Sequence, residues 1–310
     1  MLAAAAGPPR SCDSSLAATT DTAPAPTRIP GYLSVIGASP VSFGCKTVRM
    51  AYTALISGAS AGLGQEFARQ LTALGVRVIL VARDEHRLSA LATELTRGAT
   101  APEVLAADLT SDAGLERVAA RLADPDRPVD ILINNAGFGV YASFEASDIA
   151  DERRMHELLS WAPLRLAHAA VPGMLARGEG WILNVASVAA FTPTGTYGAA
   201  KSAVVSLSRS LNARYRRRGV RVTALCPGLL ATEFHERMGE DHLPQLPRIA
   251  WADTRRVARE GLRAVHAGRA VLLSDWRYRL TGPLTRLLPA RVLERMSTTT
   301  AQATAGSTGR

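Results

Sequence analysis

Cysteine is nearly absent from this chain. Only Cys12, Cys45 and Cys226 occur in 310 residues, and no two of them form a C-x-x-C pair. An odd, sparse count argues against a disulfide framework and suits a reducing compartment. The six histidines show no metal-ligand spacing, so no metal site is expected. Aromatic residues make up 5% of the chain. No apolar run reaches the ~18 residues that a membrane-spanning helix needs. The N-terminus lacks a basic segment followed by a clean apolar one, so no secretory leader is expected. The expected location is cytoplasmic.

Acidic residues are also in deficit, 27 against 36 basic, which leaves a formal net charge of +9. Such a balance can serve nucleic acid or an anionic membrane. Here the arginines are spread along the whole chain. The tightest cluster, Arg214, Arg216, Arg217 and Arg218, closes a helical pattern, where positive charge complements the helix dipole. With no recognition motif in the sequence, a nucleic-acid partner is not expected.

What is present is apolar residue, 47% of the chain, enough for a sizeable core. Residues 1–49 are rich in Ala, Pro, Ser and Thr without sustained period, and are expected to be a disordered extension. Met50 directly precedes the first folding pattern and is an alternative start; a targeting peptide is the other reading of the extension. From Tyr52 onward, short apolar runs alternate with helical patterns. Strands are expected at 53–57, 76–81, 103–107, 129–133, 181–186, 220–225 and 270–273. Helices are expected at 63–74, 84–97, 111–123, 151–177, 197–218 and 254–267. Near-continuous apolar strands alternating with helices indicate a parallel sheet covered on both faces. The fold class is therefore α/β: one doubly wound domain of about seven strands over residues 50–275. Residues 276–296 mix Arg with Leu and Trp as an amphipathic segment, packed on the core or touching a membrane surface or second subunit. Residues 297–310 are expected to be a disordered tail.

The residues that carry chemistry all fall at strand ends. After the first strand comes Ser57-Gly58-Ala59-Ser60-Ala61-Gly62-Leu63-Gly64. Glycines there allow a tight turn and close approach of a pyrophosphate, which a helix N-terminus can then hold. The second strand ends at Ala82, followed by Arg83 and Asp84. An arginine in this place can pair with the 2′-phosphate of NADP, whereas an acidic residue at the strand end would grip a ribose hydroxyl. Asp84 is better placed to cap the next helix. Arg83 is otherwise an ordinary surface charge.

Asp108-Leu109-Thr110 follows the third strand and suits contact with an adenine, or a helix N-cap. Asn134-Asn135-Ala136-Gly137 ends the fourth, holding the sheet edge and lining a cofactor crevice, or forming a plain turn. Pro227-Gly228-Leu229-Leu230-Ala231-Thr232 follows the sixth.

Tyr197 and Lys201 stand i, i+4 at the start of a helix, with Ser187 ending the strand before it. Residues at this spacing share one helix face. An ammonium beside a phenol lowers the phenol pKa from ~10 toward neutrality. A tyrosine tuned in this way can give a proton to a carbonyl oxygen that receives hydride, or take one from an alcohol. Ser187 is placed to hold the same oxygen.

In this order the motifs resemble the short-chain dehydrogenase/reductase family, over roughly residues 52–275. The resemblance implies a Rossmann-type single domain, a catalytic set of Ser187, Tyr197 and Lys201, and a nicotinamide cofactor. NADP(H) is favoured, and NAD(H) is the alternative. It further implies that Gly58, Ser60, Gly62, Leu63 and Gly64 surround the pyrophosphate. Asp108 would face the adenine, with Leu109 beside it, and Asn135 the adenosine ribose region, with Ala136 and Gly137 along the crevice; Arg83, read from its place after the second strand, would meet the 2′-phosphate. Tyr197 and Lys201 would also touch the nicotinamide ribose, with Pro227, Gly228 and Thr232 at the carboxamide. The implied assembly is a homodimer or homotetramer through the two long helices.

Three positions depart from the family pattern. Ser57 stands where threonine is usual. Ser187 and Tyr197 are ten positions apart rather than about thirteen. Leu159 occupies the place where many members carry an asparagine that holds a relay water. The expected function is hydride transfer between a nicotinamide cofactor and a small, partly apolar carbonyl or secondary alcohol. A dinucleotide-binding sensor of the same fold is the alternative. Val140, Phe191, Leu229, Leu230, Phe234 and Met238 are the expected apolar lining.

Overall fold

A computed structural model describes residues 52–96, 100–140, 142–230 and 251–274. The segments 1–49, 276–296 and 297–310, along with Thr232, Phe234 and Met238, lie outside the described residues.

Seven parallel strands form one sheet: β1 (Thr53–Ser57), β2 (Arg77–Ala82), β3 (Glu103–Ala106), β4 (Ile131–Asn134), β5 (Gly180–Val185), β6 (Val220–Cys226) and β7 (Val271–Leu273). Their spatial order is β3-β2-β1-β4-β5-β6-β7. Each strand is short and almost wholly apolar, because helices cover both faces. The helices are α1 (Gly62–Ala73), α2 (Glu85–Leu95), α3 (Asp112–Ala123), α4 (Ile149–His156), α5 (Ala162–Arg177), α6 (Gly195–Tyr215) and α7 (Thr254–His266). One core layer joins the sheet to α1, α2 and α7 through Phe67, Leu71, Leu88, Leu91 and Val257. The other joins it to α3 and α5 through Leu115, Val118, Leu166 and Met174. The chain reverses direction in the sheet between β1 and β4, which opens a crevice at the carboxyl edge.

The helix expected over 151–177 is interrupted. A π turn at Glu157–Trp161 separates α4 from α5. Pro163 accounts for it: proline has no N–H for the carbonyl four residues back, and its ring crowds that carbonyl. The residue four back is Leu159, at the centre of the π turn. The helix widens there instead of breaking.

At the opposite edge of the sheet, the buried Asp130 accepts a hydrogen bond from the Thr53 amide at 3.0 Å and pairs with Arg177 at 3.6 Å. It thereby joins the start of β1 to the start of β4. Asp130→Ala leaves a buried amide and a part-buried guanidinium without this acceptor. The expected cost is about 2–4 kcal/mol of unfolding free energy in a denaturant titration. A loss within about 0.5 kcal/mol would show that the pair does not hold the strands.

Candidate functional site

The first part of the site is the turn between β1 and α1. Gly58 takes φ +66°, a conformation that L side chains rarely adopt, and a Cβ there would lie 2.8 Å from the Ala136 Cα. Gly64 is tighter, since a Cβ would lie 2.1 Å from the Gly58 carbonyl oxygen. The turn is locked to β4 by side chains. The Ser57 hydroxyl accepts from the amides of Asn135 at 3.0 Å and Ala136 at 3.1 Å. Asn135 Nδ2 donates to the carbonyls of Ser57 and Gly58 at 3.1 and 3.2 Å. Serine at position 57 thus has the reach that this clamp requires.

The α1 N-terminus differs from those of α2, α3, α4 and α7. Asp84, Ser111, Asp148 and Asp253 cap α2, α3, α4 and α7 by accepting a backbone N–H. Ala61 at the head of α1 supplies no side-chain cap, and the first turn has no acidic residue. The orphan N–H groups and the positive dipole end are therefore left for an anion. Together with the close backbone approach at Gly64, this fits a dinucleotide pyrophosphate. Leu63 and Leu109 are buried in the core, so only their backbones are available to a ligand.

Next along the edge, Asp84 caps α2 and leaves Arg83 exposed at the end of β2; Arg83 forms no ion pair among the described residues. Asp108 does not cap α3: it lies three residues before the N-cap position, which Ser111 fills. Its Oδ1 accepts from the Thr110 amide at 2.9 Å and the Thr110 hydroxyl at 2.8 Å. Burial works against its charge, but the Thr110 bonds and the charges of Arg83 and Arg154 hold the carboxyl below its usual range. Arg154 was not singled out by sequence. It sits on α4 with its guanidinium 6.0 Å from the Phe138 ring centroid.

The third part is the start of α6. Lys201 is 5% exposed, and its Nζ donates to the Val185 carbonyl at 2.8 Å. The same Nζ lies 5.8 Å from the Tyr197 ring centroid. Burial pushes the Lys201 pKa down to about 8, while the neighbouring Cys226 acts in the opposite direction. Burial pushes the Cys226 thiol up to about 12.

Ser187 begins a 3₁₀ turn, Val188–Phe191, and its Oγ accepts from the Ala189 amide at 3.1 Å. The hydroxyl hydrogen is left to donate. The shortened link between Ser187 and Tyr197 is this single turn. It is fastened to α6 by Thr194 Oγ1 on the Ala189 carbonyl and Ser202 Oγ on the Ala190 carbonyl. Val188 in turn donates its amide to the carbonyl of Pro227 at the end of β6. Thr194 and Ser202 were not singled out by sequence.

Around Tyr197 lies an apolar group of Met155, Leu159 and Ala200, with Phe138 and Val140 packed against it. Leu159 is buried in the π turn, and a Cβ on Gly137 would lie 2.9 Å from its Cδ2. Where a relay asparagine is usual, this chain has hydrocarbon, and Lys201 donates instead to the backbone carbonyl of Val185. Phe191 and Leu230 pack on neighbouring parts of the core.

The chain matches the short chain dehydrogenase family model over residues 52–243. It belongs to that family. Among its relatives, galactitol 2-dehydrogenase (L-tagatose-forming) of Cereibacter sphaeroides is 35% identical over 231 residues, 72% of this chain and 87% of that protein. A short-chain dehydrogenase from Sphingobium yanoikuyae, solved with NADPH, is 34% identical with a TM-score of 0.69, covering 76% of this chain and 94% of that one. A bulky-bulky ketone specific alcohol dehydrogenase from Comamonas testosteroni is 30% identical with a TM-score of 0.66, covering 76% and 92%. This short-chain dehydrogenase thus shares the fold and oxidoreductase class of its relatives. Among the described residues no helix is long and apolar enough to cross a membrane.

Gly64→Ala forces a methyl group onto the Gly58 carbonyl and disturbs the β1–α1 turn. If that turn holds the cofactor, NADPH binding, measured by cofactor fluorescence, is expected to weaken by roughly tenfold or more, a change that corresponds to about 1.4 kcal/mol. Unchanged affinity would remove this turn from the cofactor site.

Proposed function

We propose that this short-chain dehydrogenase reduces a carbonyl, or oxidises the matching secondary alcohol, with NADP(H) as the hydride carrier and Tyr197 as the proton-transfer group. The observation that carries the reading is the Lys201 ammonium, buried, bonded to Val185 and set against Tyr197. The bound cofactor would supply or accept hydride. It would be held by the N–H groups of the turn Gly58–Gly64 with Ser60, by Asp108, Asn135 and the Ala136–Gly137 backbone, and by Pro227, Gly228 and Thr232.

Tyr197 donates its hydroxyl proton to the substrate oxygen in reduction and takes it back in oxidation. Lys201 favours the charged form of that phenol by its own charge. Ser187 donates to the same oxygen and fixes its place. The apolar group around Tyr197 excludes water and favours a substrate with an apolar flank. The bulky-bulky ketone specific alcohol dehydrogenase from Comamonas testosteroni offers a parallel for that preference, and the NADPH-bound relative supports the choice of cofactor. Arg83, exposed at the end of β2 without an ion pair among the described residues, is the group for the 2′-phosphate.

We also propose a homo-oligomer through α4–α5 and α6, on the strength of Trp161 and Leu164, which are 51% and 40% exposed on that long helical stretch.

The test is consumption of NADPH and NADH against a panel of ketones, aldehydes and quinones. NADPH-dependent turnover is expected on at least one compound, falling by ~10²-fold or more in Tyr197→Phe. Because the folded Lys201 pKa lies near 8 and the charged form is the active one, kcat/KM for reduction should hold below about pH 8 and fall above it. Cofactor binding without turnover on any compound would favour a sensor. Full activity in Tyr197→Phe would remove the mechanism. Arg83→Ser should cost roughly 10–100-fold in kcat/KM for NADPH, the worth of a charge-assisted hydrogen bond, and leave NADH little changed. Equal losses with both cofactors would contradict the assignment of Arg83.

A further inference from the structure

The buried face of α6 is unusual for a helix that packs on a sheet. Of its seven buried residues, Gly198, Ala200, Lys201, Val204, Val205, Ser208 and Asn212, three are polar: Lys201, Ser208 and Asn212. Ser208 is fully buried, and its Oγ donates to the Val204 carbonyl at 2.7 Å. Its lone pairs accept Asn184 Nδ2 at 2.9 Å. Asn184 is fully buried in β5 and turns its Oδ1 to Asn134 Nδ2 at 2.8 Å. Asn134 and Asn184 are register partners across β4 and β5. The hydroxyl orientation at Ser208 therefore dictates both asparagine orientations, and the chain of donors runs one way from sheet to helix. Asn134 Oδ1 is its open end, buried and without a hydrogen-bond partner among the described residues.

Each member has a neighbour at the site. Asn135, next to Asn134, clamps the Gly58 turn. Val185, next to Asn184, holds Lys201. Val204 lies one turn beyond Lys201 on the same helix face. An apolar contact would let α6 slide or rotate against β5 at small cost. A buried polar chain does not, because any displacement leaves desolvated amides unpaired.

We infer that Asn134, Asn184 and Ser208 are positioning residues that set α6 against β4 and β5, so that Lys201 meets the Val185 carbonyl and Tyr197 stands at the crevice. They form one connection between the cofactor turn and the catalytic helix. The inference rests on the catalytic reading of Tyr197 and Lys201. Ser208 itself lies seven residues past Lys201, about 10 Å along the helix, and is closed off from any ligand.

Ser208→Ala removes one oxygen and nearly no volume. Two readouts separate this inference from the catalytic reading. The first is the kcat and KM split. The second needs no turnover: acylation of Lys201 by an amine-reactive reagent, followed by peptide mass spectrometry. Ser208→Ala is expected to bind NADPH within about threefold of the parent and to keep its KM for substrate. Its kcat should fall by roughly tenfold, as small misplacements of reacting groups do. Lys201 should acylate faster as its ammonium leaves its cage. Ser208→Thr, which keeps the hydroxyl, should restore both. Unchanged kcat and unchanged Lys201 acylation in Ser208→Ala would overturn the inference. If Tyr197→Phe proves fully active, the catalytic reading falls, while the acylation readout still decides whether Ser208 positions Lys201. Should Ser208→Ala fail to fold, Ser208→Cys, a weaker donor and acceptor, carries the same two readouts with the same overturning result.

Discussion

A lysine ammonium with almost no water around it must be met by the protein, and Lys201 is met by the Val185 carbonyl. That bond joins the last residue of β5 to the first turns of α6. A charge buried without such a partner would be lost by deprotonation or would pull the helix toward solvent. The contact therefore constrains where α6 begins, how the link from Ser187 runs, and which face of the helix carries Tyr197. The single 3₁₀ turn between Ser187 and α6 is compact enough to allow this geometry, and Thr194 and Ser202 fasten it from the helix side.

The cofactor half of the crevice is governed by a different economy of groups. The N-termini of α2, α3, α4 and α7 are capped by side chains, whereas α1 leaves its N–H groups open behind a turn too tight for any Cβ at Gly64. The two halves meet at Asn134 and Asn135. Asn135 faces the glycine turn and Asn134 faces β5, so adjacent residues tie β4 to the β1–α1 turn and to β5. Leu159 adds a dry wall on the Tyr197 side, which strengthens the field of the Lys201 charge on its surroundings.

Much of this was legible in the sequence because the physics is local. Strands such as Ile131–Asn134 and Gly180–Val185 are near-continuous apolar runs, and a parallel sheet covered on both faces demands that pattern. The i, i+4 spacing of Tyr197 and Lys201 reports a shared helix face directly. The π turn was less visible. Its cause, Pro163, is written in the sequence, but a helical pattern on either side conceals a local widening. The Asn134–Asn184–Ser208 chain was not legible at all, since Asn184 and Ser208 sit 24 positions apart inside apolar surroundings and acquire meaning only through long-range pairing. Asp108 was placed correctly at the sheet edge, yet its alternative role as a helix cap belongs to Ser111.

The step we propose is hydride transfer from a nicotinamide cofactor to a carbonyl carbon, with Tyr197 giving the proton. The most direct measurement is a turnover with NADPH carrying deuterium on the transferable C4 position, followed by mass and NMR analysis of the alcohol formed. The account predicts one deuterium on the carbinol carbon. Product without deuterium at that carbon, when both faces of C4 have been labelled in turn, would contradict it.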